Sequence, residues 1–220
     1  MDKIVVIIIN FSFIPTILVS LYAIFIISKI SENLKPICGF IIFSSLIDAS
    51  SNALALFKIN NMPLLHIYVA GGFLFLSAFF NKVFEGYINK KIIFYAAITF
   101  FIFTIINSVF IQSIYYFNSY ALTIESIIIV IYTLSTYTII LNKTVKKNRA
   151  DSLTSIHWIN SGLFLYYASS LTLFYFGKII TSSPRSHHIN YTWVLHSVFS
   201  ILMYCCFFIG LWNRPRNLIS

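Results

Sequence analysis

The sequence predicts an all-α, polytopic membrane protein: a bundle of seven transmembrane helices with its N-terminus outside and its C-terminus inside. Three observations carry this. Hydrophobic residues make up 59% of the chain and charged residues only 10%, against roughly 25% charged in soluble domains. Mean hydropathy is +0.86 over 220 residues. The apolar residues fall into seven long runs separated by short polar connections, and the cationic residues gather in alternate connections.

A hydrocarbon core about 30 Å thick needs about 20 apolar residues per crossing helix. The runs at 4–28, 36–57, 63–83, 92–113, 119–141, 155–177 and 191–212 meet that length. Strands would instead show roughly ten-residue alternating segments. The first run lacks a small-residue cleavage site and reads as a retained helix, with Pro15 inside it expected to kink it. Lys35-Pro36 opens the second span and Asn60-Asn61-Met62-Pro63 precedes the third, in keeping with proline's preference for a first helical turn. Gly71-Gly72 in the third span would allow close approach of a neighbour. Ser182-Ser183-Pro184 marks the last connection. Seven spans account for nearly all of residues 1–220 as one transmembrane domain, with no room for a soluble catalytic domain.

Orientation follows from charge. Lys29, Lys35, Lys82, Lys90, Lys91, Lys143, Lys146, Lys147, Arg149, Arg214 and Arg216 share one side, 11 of the 15 cationic residues, and only Lys3, Lys58, Lys178 and Arg185 fall on the other. The richer side is expected to be cytoplasmic. The net charge of +9 is therefore a topology signal and not a nucleic-acid surface. The 143–149 loop and the tail, through Lys143, Lys146, Lys147, Arg149, Arg214 and Arg216, are candidate contacts either for anionic lipid or for a cytoplasmic protein partner. Cys38, Cys205 and Cys206 lie within or beside spans and read as packing residues.

Acidic residues number six, and Asp48 and Glu125 fall inside spans, where an ionisable group costs several kcal/mol unless a cavity or partner receives it. Asp48 lies near the midplane of the second helix, with Ser44 and Asn52 one turn to either side forming a polar stripe. At about 1.5 Å rise per residue, Asn107, Glu125 and His196 fall in the outer thirds of their helices and His66 near the outer mouth of the third. Asp48, Asn52, His66, Asn107, Glu125 and His196 are therefore the candidate ligand-binding residues, expected to line an outer-half pocket if they face the bundle interior. The competing reading is interhelical hydrogen-bonding glue. His66, Glu125 and His196 also have the ligand types of a metal site but no local spacing motif. His157, Asn160 and Ser161 form a second cluster nearer the inner face, and Tyr166 and Tyr167 would extend the polar interior.

Several activities find no support in the residues. Retinal needs a lysine in the last helix, and none lies between Tyr191 and Trp212. There is no Gly-rich phosphate loop, HExxH pair or GxSxG elbow, and no cofactor is called for. Three readings remain: a sensor or receptor-like module for a small or lipophilic ligand, an ion-coupled transporter, or an intramembrane lipid-modifying enzyme. The run from Trp193-Val-Leu-His196-Ser197 to Gly210-Leu211-Trp212, taken with Asp48-Ala-Ser-Ser-Asn52 and the seven-helix layout, resembles uncharacterised bacterial seven-helix membrane proteins of sensor type that lack an output domain. The resemblance implies a cytoplasmic signalling partner and a bacterial inner-membrane location, and supplies neither ligand nor site.

Overall fold

The computed structural model describes residues 12–145, 150–182 and 187–214, with side chains given for 12–142, 153–176 and 193–214. The described residues form α-helices and no strands. In chain order these are α1 (Phe13–Ile26), continued by one 3₁₀ turn (Ile27–Lys29), α2 (Lys35–Leu56), α3 (Met62–Val83), α4 (Lys90–Ile106), ended by a π turn (Asn107–Ile111), α5 (Ser119–Val145), α6 (Ala150–Ser182) and α7 (His187–Trp212).

Each start has a local cause. Pro36 and Pro63 sit in the first turns of α2 and α3, where a missing N–H goes unmissed. Asn89 caps α4 by accepting from the Lys91 backbone N–H at 3.0 Å. Because α1 is described only from Phe13, Pro15 stands in its first described turn. The expected kink would fall at the edge of residues 1–11, outside the described residues. α2 ends with Lys58 at φ 57°, its N–H bonded to Ala55 O at 3.0 Å and that of Ile59 to Leu54 O at 2.9 Å. That pair of bonds is a Schellman ending with lysine in the position glycine prefers.

Five of these elements are long and apolar enough to cross a membrane: α2, α3, α4 with its π turn, Ser119–Asn142 of α5 and Trp193–Trp212 of α7. The surface agrees, since Leu18, Phe25, Leu46, Phe94, Ile102, Phe110 and Leu202 stand exposed around the bundle, where water would penalise them and lipid would not. The chain is an integral membrane protein of several spans. α1 is apolar but shorter as described. α6 has 33 residues, and Asn160, Ser161, Tyr166, Tyr167, Ser169, Ser170 and Thr172 lower its mean hydropathy. Of these, Asn160, Tyr166, Tyr167 and Ser170 are buried, so α6 is the least lipid-like because it carries the bundle's polar interior.

The helices pack in sequence order, α1 returns onto α7 to close the ring, and α3 reaches across to α5. Lipid gives helices no hydrophobic reason to associate, so close backbone packing has to hold them. Along the α6–α7 seam, a methyl group at Gly162 would meet Cys206 Cβ at 2.8 Å and one at Gly210 would meet Ser155 O at 2.9 Å. α2 and α3 interlock reciprocally, with Phe75 over Gly39 and Phe43 over Gly71, their rings 5.7 Å apart. Gly71 thus admits an aromatic ring and not a neighbouring backbone. Beneath it, Phe79, Phe80, Phe84 and Tyr132 form the aromatic core that joins α3 to α5.

Packing is uneven along the bundle. The fully buried residues of α2 all lie between Ile37 and Ser44. Beyond Ser44 this helix parts from its neighbours and leaves a cavity.

Candidate functional site

The cavity has a volume of about 320 Å³ and lies at the end of the bundle formed by the C-terminal half of α2 and the N-terminal halves of α3 and α7. α1 contributes Ser12 and Thr16, α2 contributes Asp48 and Ser51, and α3 contributes Asn61 and Tyr68. α6 adds Tyr166, and α7 adds Trp193, His196, Ser200 and Tyr204. Spacing explains the last set: His196, Ser200 and Tyr204 follow one another at four-residue intervals, a stripe on one face of α7. Ser12 and Thr16 form the matching step on α1.

Asp48 is the only acidic side chain of this lining, and no lysine or arginine joins it among the described residues. The Thr16 hydroxyl is directed at its carboxyl group. Ser51 accepts a hydrogen bond from Asn61 Nδ2 at 2.6 Å, which pins the start of α3 to the end of α2. His196 is held from the α6 side: its Nδ1 meets Ser170 Oγ at 3.0 Å and its Nε2 meets the Tyr166 hydroxyl at 3.4 Å. Its ring packs against Tyr166, Phe174 and Trp193 at centroid distances of 5.2, 5.5 and 5.9 Å. A second cavity of about 200 Å³, lined by Ser169, Ser170, Leu173 and Phe199 among others, touches His196 from the other side. The histidine is the partition between the two.

Of the six residues expected to share a pocket, the structure brings Asp48 and His196 together. Asn52 stands exposed, its Nδ2 donating to the carbonyl of Asp48 at 3.0 Å. Four residues advance a helix 40° beyond a full turn and three fall 60° short of one. The cavity lies on the short side, so Ser51 faces it and Asn52 is carried off.

His66 is buried and spoken for at both nitrogens, with Nδ1 at 2.7 Å from Ser108 Oγ and Nε2 at 3.2 Å from the Tyr116 carbonyl. A carbonyl only accepts, so Nε2 must donate. The histidine ties α3 to the α4–α5 connection and has no lone pair left for a metal at that nitrogen. Asn107 is wholly buried in the same connection. It donates to Asn118 Oδ1 at 2.8 Å and Gln112 Oε1 at 3.2 Å, and Gln112 donates on to Ser119 at 2.8 Å. That network ties the π turn ending α4 to the start of α5, where Gln112 Oε1 also accepts from the Tyr120 backbone N–H at 3.1 Å.

Glu125 is 0% exposed and does not line the cavity. Its Oε1 accepts from the Tyr167 hydroxyl at 3.1 Å, the carboxyl lies against Gly72 of α3, and Oε2 has no hydrogen-bond partner among the described residues. Tyr68 and Tyr166 line the cavity with Asp48, and Tyr166 packs edge-on at 5.1 Å against Tyr167, the partner of Glu125. Among the described residues, no three His, Cys, Asp or Glu side chains converge on a point that would hold a metal. His66, Glu125 and His196 are each anchored separately.

The inner cluster belongs to the α5–α6 seam. Asn160 donates to the Thr133 carbonyl at 3.1 Å, Tyr137 donates to Ser161 at 2.9 Å, and His157 packs on the Tyr137 ring. Arg214 donates to the Tyr22 hydroxyl at 2.7 Å and to the Leu211 carbonyl at 2.9 Å, clasping the last turn of α7 to α1. Lys146, Lys147, Arg149 and Arg216 lie outside the described residues, as does the side chain of Lys143.

No protein-family model, curated protein or solved structure matches this chain. The residues that sequence reasoning passed over are Thr16, Ser51, Tyr68, Ser200 and Tyr204. The four-residue stripes on α1 and α7 were the available signal for Thr16, Ser200 and Tyr204. Tyr68 has Leu64 and Gly72 one turn to either side and offers none.

Proposed function

We propose that the chain is a seven-span receptor-like module of a bacterial inner membrane, N-terminus outside and C-terminus inside, which binds a small ligand in the cavity and signals to a cytoplasmic protein. The carrying observation is that α1 and α2, from one end of the sequence, and α6 and α7, from the other, meet around a cavity with Asp48 and His196 in its wall. A ligand seated there contacts both groups and biases their relative position, which is the differential interaction a signalling site requires.

Seven spans are favoured by α6, whose 33 residues reach roughly 50 Å at about 1.5 Å each, and by the apolar character of α1. The positive-inside distribution puts the cavity at the outer face and the Arg214–Tyr22 clasp at the inner one. A shift between α1 and α7 would load that clasp, next to the cations of the tail and of the 143–149 loop offered to a partner.

Transport is the second reading, favoured by the buried polar groups that continue below the cavity along α5 and α6: Glu125, Ser126, Thr133, Thr136 and Asn160. Full-length protein in sealed liposomes separates the two. The receptor reading expects no protein-dependent uptake of protons or of choline under an imposed membrane potential. Uptake that Glu125→Gln abolishes would replace it with transport.

A further inference from the structure

We propose that the cavity takes a small organic cation, a primary amine or quaternary ammonium of about choline to phenethylamine size, with the Asp48 carboxylate as its counter-charge. The proposal rests on the small-ligand reading above and names the chemistry that reading leaves open.

Charge is the first argument. Asp48 contributes a carboxylate to a space inside the helix bundle whose other polar groups include uncharged hydroxyls, an amide and a histidine, and no lysine or arginine lines it among the described residues. His196 does not serve as the missing partner, because Ser170 and Tyr166 occupy its two nitrogens. An ionised group in such surroundings is costly unless paired. A cationic ligand supplies the pair, a neutral one leaves the carboxylate as it stands, and an anion adds repulsion.

The walls are the second argument. Tyr68, Tyr166, Trp193 and Tyr204 line the same space as Asp48. Aromatic faces attract an ammonium through their quadrupole, more so when the site is desolvated, and several rings around one carboxylate suit a bulky, weakly hydrated cation. A metal ion would want several oxygen donors in a shell, and this cavity offers one carboxylate. The third argument is size: about 320 Å³ sits at the lower end of ligand pockets, large enough for an ammonium with a short tail. Thr16, Ser51 and Ser200 offer hydroxyls for a polar group on that tail.

The test uses full-length protein in nanodiscs with Trp158 and Trp212 changed to Phe, leaving Trp193 of the three tryptophans as a reporter in the cavity wall. Choline is titrated beside 3,3-dimethylbutan-1-ol, its uncharged isostere. Choline is expected to change Trp193 emission saturably, and the alcohol to bind at least about tenfold more weakly. Asp48→Asn should weaken choline at least about tenfold with unfolding unchanged. Asp48→Glu should restore most of the affinity, and Tyr68→Leu should cost more than Tyr68→Phe. Equal affinity for choline and the alcohol, or no loss in Asp48→Asn, overturns the cation assignment and leaves the small-ligand site standing. Silence of Trp193 to both compounds at high millimolar concentration overturns the two together.

Discussion

Asp48 and Glu125 are chemically near-identical groups inside the same bundle, yet the fold treats them oppositely. Asp48 sits where α2 has parted from its neighbours, with open volume in front of it and aromatic rings around that volume. Glu125 sits where α3, α5 and α6 are in contact, sealed between Gly72 and the Tyr167 hydroxyl. Position along a membrane helix does not make a carboxyl functional or structural; the packing around it does. Asp48 has open volume before it and the Thr16 hydroxyl beside it, as a binding group needs. Glu125 has a partner and no space, as interhelical glue does.

Substitutions should separate the two. The largest effect is expected at Glu125→Ala, which strands the buried Tyr167 hydroxyl and opens a void: a loss of about 2–4 kcal/mol in unfolding. Glu125→Gln keeps an acceptor for Tyr167 and should cost about 1 kcal/mol or less. Gly162→Ala comes next, at about 1–3 kcal/mol, because the new methyl group meets Cys206 and the Met203 backbone on α7. Asp48→Asn should move stability by about 0.5 kcal/mol or less, since the amide oxygen can still accept from the Thr16 hydroxyl; a loss as large as that of Glu125→Ala would break the comparison.

The smallest effect belongs to Glu85, in the connection between α3 and α4, whose carboxyl is held below its usual range by the hydrogen bond and charge of Lys90. A depressed folded value means its contribution is present at neutral pH and fades as pH falls through the carboxylate range. On so exposed a pair water screens the interaction, and Glu85→Gln should leave the pH profile of unfolding almost superimposable on that of the parent.

Much of the fold was legible. Apolar length located every helix, and Lys35-Pro36 and Met62-Pro63 marked two starts where the structure places them, while the Asn89 cap starts α4 at Lys90, ahead of the expected 92. The ends of α6 and α7 were not legible, because α6 stays helical through Gly177 to Ser182 and α7 is already helical at His187, ahead of the expected 191. The site was legible in depth and not in azimuth. Counting rise put Glu125 and Asn107 level with the cavity, but α4 is apolar on most sides and α5 carries hydroxyls on buried and exposed faces alike, Ser126, Thr133 and Thr136 against Thr138, so their pattern does not tell which face is inward. α7 was the readable case, since its polar stripe from His196 to Tyr204 marks one face.

The most direct measurement is the reaction rate of an impermeant thiol reagent added outside intact cells, with native Cys205 and Cys206 changed to Ala. Ser51→Cys lines the cavity beside Asp48, and Ser126→Cys, next in sequence to Glu125, is fully buried. Rapid labelling at 51, none at 126, and none at 51 when the reagent is supplied only to the inner face is the predicted result. Comparable labelling at both positions, or labelling at 51 from the inner face alone, would contradict an outward-opening cavity built on Asp48 and closed to Glu125.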